Sequence, residues 1–144
     1  SWTGPAVIIN EFMADNATTI QAPSGEYTDW IELHNLTNER IDLSGWTITD
    51  DLDDPEMFRI VGVTIDPMGF KLLWADDTTN PGHVAFKLGK DGEEIGLYDS
   101  DGNAHTRLTY EAQATDWSAA RIPDGSPNWE IIDNATPGLS NIGP

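Results

Sequence analysis

Short apolar segments recur along the whole chain, each closed by turn-forming residues, and this rhythm limits the fold more than any other feature. The segments are AVIINEFMA, WIELHNL, GWTIT, MFRIVGVTI, FKLLWA, HVAFKL, EIGLYD, RLTY, WSAARI and WEII. Between them lie Pro23-Ser24-Gly25, Asp66-Pro67-Met68-Gly69, Asn80-Pro81-Gly82, Lys90-Asp91-Gly92, Asp101-Gly102 and Pro123-Asp124-Gly125. Proline presets φ for a turn, while Gly, Asn and Asp tolerate positive φ. No segment holds an apolar 3.6-residue period over ten residues, so helices longer than a turn or two are not expected. Strands with no helix to cover them bury their apolar faces sheet against sheet, which predicts an all-β sandwich or barrel.

Strand periodicity also assigns faces. In DWIELHNL, Ile31, Leu33 and Asn35 share one face and Trp30, Glu32 and His34 the other, so Ile31 and Leu33 are expected in the core. Phe70, Leu72 and Trp74 share a face of FKLLWA, and Leu72, Trp74 and Trp46 are expected as further core residues. Asp101-Gly102 predicts a hairpin with a type I′ turn, whose twist matches paired strands.

At 144 residues the chain fits one domain. It has no cysteine, which excludes disulfides, zinc-thiolate sites and thiol catalysis. Its 25 acidic residues against 7 Lys and Arg give a net charge of -18, a surface that repels nucleic-acid phosphates and anionic lipid. Such an excess is also what salty surroundings favour. Six Trp, four Phe and three Tyr supply apolar area that a disordered chain would lack. No run approaches the ~20 apolar residues of a membrane-spanning helix. Residues 1–5 and 142–144, rich in Ser, Gly and Pro, are expected to be a linker or appended remnant and a tail around a domain at 6–141, excised from a larger chain.

Several fragments taken in order carry a resemblance: VIINEFMADN, DWIELHNLTNERIDLSGWTITDD, MFRIVGVTIDPMGFKLLWADD, FKLGKDGEEIGLYDSDG, WSAARIPDG and ATPGLSN. Together they resemble the lamin tail domain family in its prokaryotic form, over about Val7 to Asn141. The resemblance implies an immunoglobulin-like β-sandwich without catalytic activity. It further implies a protein or cell-surface interaction module, appended to secreted or surface-attached proteins and located outside the cell or on its surface. The basic surface that would accompany DNA binding in this family has no counterpart among 7 scattered Lys and Arg, so nucleic acid is not carried over as a partner.

The acidic run Asp50, Asp51, Asp53, Asp54 fails as an EF-hand loop, because Pro55 and Glu56 occupy the fifth and sixth positions counted from Asp51. Two readings stay open. Asp50, Asp51 and Asp53 form a calcium site with Asp76 and Asp77 from a second loop, calcium then being the one cofactor, or the run is a solvated loop. A second candidate calcium group is Glu11 with Asp15, Asp29 and Glu32, the favoured reading for Glu11 or Glu32 being instead that hydrogen bonds to turn backbone satisfy the carboxylate. No H-E-x-x-H, G-x-S-x-G or Walker pattern is present, and His34, His83 and His105 are isolated in sequence, so no enzyme is expected. Trp2, Trp117 and Trp129 fit the strand patterns least, and Trp117 and Trp129 are the candidate partner-binding residues. Sugar rings stack on such side chains, which makes a carbohydrate-binding module on a secreted hydrolase the alternative.

Overall fold

The computed structural model describes residues 5–141, so Trp2, most of the expected linker and the 142–144 tail lie outside the described residues. The strands are β1 (Val7–Met13), β2 (Asp29–Asn35), β3 (Ile41–Asp42), β4 (Thr47–Thr49), β5 (Phe58–Arg59), β6 (Thr64–Ile65), β7 (Phe70–Ala75), β8 (His83–Val84), β9 (Gly92–Tyr98), β10 (Ala104–Glu111), β11 (Ser118–Arg121) and β12 (Trp129–Ile132). They form a six-stranded sheet in the order β12-β11-β1-β2-β7-β8, a four-stranded sheet in the order β10-β9-β4-β5, and the small pair β3-β6. All pairings are antiparallel except that of β7 with β8. The two larger sheets pack into an immunoglobulin-like β-sandwich, as expected, and the described residues contain no helix.

Between the sheets, Val7, Ile9, Phe12, Ile31, Leu33, Leu73 and Ala75 meet Ile48, Ile95 and Leu97, with Trp46 in the same cluster. Ile31, Leu33 and Trp46 are therefore core residues as their periodicity predicts. Leu72 and Trp74 are not in this core. They share a face, but it is the outer one, where Trp74 joins Met13, Ala22 and Trp30 in a second cluster against which Leu72, Ile20 and Ala135 pack. Alternation shows which residues go together but not which face meets the second sheet, and here a loop and the C-terminal segment also bury the outer face.

One extra residue sets the side-chain directions of β1. Its register with β2 runs Val7↔Asn35, Ile8↔His34, Ile9↔Leu33, then skips Asn10 and resumes Glu11↔Glu32, Phe12↔Ile31, Met13↔Trp30. In an unbroken strand Ile9 and Glu11 would share a face, whereas the bulge turns Glu11 outward and Phe12 into the core. Asn10 is fully buried and holds the bulge: its Nδ2 donates to Asp124 Oδ1 at 3.0 Å and its Oδ1 accepts from Gly125 N at 2.9 Å.

The Asp101-Gly102 hairpin joins β9 to β10, but with a turn different from type I′. Only Gly102 has positive φ, and Gly102 N donates to Asp99 O at 3.0 Å. Asp99 organises this turn by accepting from the backbone of Asp101 and Asn103 and from the side chains of Asn103 and His105. Although burial pulls upward, these bonds outweigh it and hold the Asp99 carboxyl at about 2.

Candidate functional site

The sheets are unequal, and their mismatch leaves a seam. β1 lies over β10, with the Phe12 and Tyr110 rings 4.9 Å apart. β11 and β12 continue the six-stranded sheet beyond β1, while β10 ends the four-stranded sheet. Ile131 shares the inward face with Phe12, since Phe12 pairs with Ala119 and Ala119 with Ile131. It is nevertheless 59% exposed, because the second sheet has no strand beneath it. The result is an open groove of about 270 Å³, floored by Phe12 and Ala119 and walled by Leu108 and Tyr110 on one side and Trp129 and Ile131 on the other.

Trp129 is half-buried and fixed from two directions. Its ring meets Phe12 edge-on at 5.6 Å, and the Arg121 guanidinium carbon sits 4.6 Å from its centroid. Arg121 is itself anchored, donating from Nε to Ile9 O at 2.8 Å and from Nη1 to Ser126 O at 3.0 Å. One face of the indole is thus already occupied by a cation, which leaves less of it for a sugar ring than an open platform would have. Tyr110 donates its hydroxyl to Gly89 O at 2.8 Å, so both aromatic walls are rigid. At the β10 end, Gln113 Oε1 accepts from Ala14 N at 2.7 Å, while its Nε2 is buried without a partner. Trp117, the other predicted partner-binding residue, is 38% exposed but does not line this groove, so the two tryptophans do not form one patch.

The predicted calcium ligands are not gathered. Among the described residues no group of three or more His, Cys, Asp or Glu is placed to hold a metal ion. The acidic run folds onto itself: Asp51 Oδ1 accepts from Asp53 N, and the Leu52 amide between them donates to Glu94 Oε1. Asp76 is engaged by His83 Nδ1 at 2.6 Å and by Thr78 Oγ1 at 2.8 Å, while Asp77 is exposed at a positive φ of 61°. Local turn bonds and one histidine therefore occupy carboxylates that a shared ion would require.

In the second acidic group Glu11 and Glu32 accept from backbone amides, as expected of them, and both lie on the outer face. Glu11 and Glu32 are both fully buried there, covered by the segment 133–141, which we term the strap. Glu11 Oε2 accepts from Ser118 Oγ at 2.7 Å and from Thr136 N at 3.2 Å, and Glu32 Oε2 accepts from Gly138 N. Asn141 completes the strap, its N donating to Asp124 Oδ1 and its Nδ2 to Asn10 O and Arg121 O. Burial pushes the Glu32 carboxyl up to about 8 and raises Glu11 as well. Asp29, pushed up by burial to about 7, accepts from Leu88 N at 3.0 Å, and Asp15 accepts from Thr115 Oγ1 at 2.7 Å. Glu32 Oε1 is left buried without a partner, which no residue pattern in the sequence signals.

Asn16 and Asn35 are buried, and Asn35 Nδ2 donates to Glu39 O after β2 and to Ile65 O and Asp66 O at the end of β6. No helix among the described residues is long and apolar enough to cross a membrane. The family model described as Lamin Tail Domain matches residues 2–112. No curated protein matches the chain.

Proposed function

The chain belongs to the lamin tail domain family, and from that premise we propose that it is the attachment module of a larger secreted or surface-attached protein, docking to a protein or cell-surface component through the seam between its sheets. The family is an immunoglobulin-like, non-catalytic domain family and generally a protein-interaction module. The observation that carries the proposal is Ile131, an inward-facing strand residue left 59% exposed beside Trp129. Apolar area arranged by two rigid strands and left open is what a docking surface needs. The net charge of -18 disfavours nucleic acid, because affinity for phosphates comes from Lys and Arg displacing counterions.

Polysaccharide binding is the second reading, and Trp129 is the residue it would use. Adhesion of the purified domain to cell envelopes and to a glycan array separates the two. Ile131→Glu should abolish envelope adhesion while leaving the melt intact, with no glycan retained. Glycan binding lost in Trp129→Ala would install the carbohydrate reading, and adhesion unaffected by either substitution would remove the seam from consideration.

A further inference from the structure

The seam has the dimensions and unsatisfied groups of a missing strand, and we propose that its occupant is an extended peptide of a partner protein that adds to the free edge of β10. This proposal rests on the seam being the docking site and specifies how it is used. β10 is paired on one side only, with β9, through a register that runs from Arg107↔Gly96 to Glu111↔Gly92. Its other edge presents backbone donors and acceptors to the groove, an open template for a further strand. A strand pairing there would lie ~4.8 Å from β10, directly beneath β11 and β12, which project about two strand spacings, or ~10 Å, past β1. Its inward side chains would cover Ile131 and Trp129, restoring the layer of contacts that the short sheet lacks. Gln113 supplies an independent sign: its Nε2 is a buried, unpartnered donor among the groove-lining residues, suited to a carbonyl of an incoming backbone.

The geometry also selects the occupant. A second copy of this chain pairing β10 to β10 would bring its own β11 and β12 into the space already filled by the first copy's overhang, so a free-standing strand fits where a whole sandwich does not. The groove side of β10 carries Leu108 and Tyr110, which calls for apolar residues at alternate positions of the peptide. The opposite side carries Arg107, Thr109 and Glu111, with Glu94 across from Thr109 on β9. Arg107 and Glu111 balance one another on β10, with Glu94 one strand further in, so the net charge of -18 is what favours Lys or Arg at the intervening positions.

The test is a titration of the domain with three acetylated nonapeptides: one alternating valine with lysine and threonine, the same peptide N-methylated along one edge, and a version with glutamate for lysine. The first should bind, with amide shifts at 107–111 and slowed hydrogen exchange along β10, while N-methylation should weaken it by about tenfold or more. The glutamate peptide should bind more weakly still at low salt, and Glu111→Lys should narrow the difference. Ile131→Glu, checked by its melt, should lose the first peptide. Equal binding of the plain and N-methylated peptides at the seam would leave the docking site standing and overturn strand addition. Shifts elsewhere, indifferent to Ile131→Glu, would overturn both. Failure of every peptide to bind would reject strand addition, and the envelope and glycan assay then judges the seam separately.

Discussion

Glu11 and Glu32 stand directly opposite one another on β1 and β2, both at 0% exposure and both bonded to backbone N–H groups of the strap. Like-charged carboxylates under cover are costly when ionised: burial raises both, with repulsion from Asp124 adding to the rise of Glu11 and repulsion from Glu11 and Asp124 to that of Glu32.

The first prediction concerns pH. Glu32 goes from 4.5 when unfolded to about 8 when folded, and Asp29 from 3.8 to about 7, so the folded chain holds more protons across that window. Stability therefore falls as pH rises from about 4 to 8. On the acid side Asp99 and Asp116, both held at about 2 when folded, lose their contribution as pH drops through 3.8 towards 2. Thermal melts should peak near pH 4–5. Glu32→Gln, which retains an acceptor for Gly138 N, should flatten the alkaline limb; an unchanged slope would show that Glu32 is not its source.

The bulge at Asn10 gives a second prediction. Asn10→Ala removes one of the two donors to Asp124 and the acceptor of Gly125 N, both half-buried groups, at a cost of about 1–3 kcal/mol. Urea unfolding should show this as a lower midpoint with an unchanged slope.

The two apolar clusters should respond differently to truncation. Trp46→Ala opens the space between the sheets and should cost about 3–5 kcal/mol, whereas Leu72→Ala, on the half-covered outer face, should cost less than about 2 kcal/mol. Equal losses in denaturant titrations would contradict the division into an inner and an outer cluster.

Deleting residues 133–141 should uncover the outer face. Ala135 packs against the cluster containing Trp30 and Trp74, so removal of the strap should shift tryptophan emission to the red and lower the melting temperature. It should also bring Glu32 back towards ordinary carboxylate behaviour, visible as a weaker alkaline fall in stability.

Calcium is the fifth test. With Asp76 held by His83 and Asp51 turned onto its own loop, millimolar calcium and a chelator should leave the melt equally unchanged. A calcium-dependent rise abolished by Asp51→Asn with Asp76→Asn would revive a site shared by the two loops.

Much of this molecule is legible in the sequence because strand chemistry is local. Alternation places Ile31 and Leu33 in the core, and turn residues separate the strands. The ordered fragments point to the family, and Asp101-Gly102 announces its hairpin. Sequence alone could not tell that Leu72 and Trp74 face away from the second sheet, since both faces of β7 are apolar and burial of the outer one depends on a loop and a strap remote in the chain. Nor could it place Glu11 outward, because its side follows from a single unpaired residue, Asn10, fixed by Asp124 and Gly125 more than a hundred positions later. The seam at Trp129 and Ile131 likewise exists only because one sheet has six strands and the other four. Local pattern determines what each strand buries; only the pairing of strands distant in sequence decides against what it is buried, and where nothing is left to cover it.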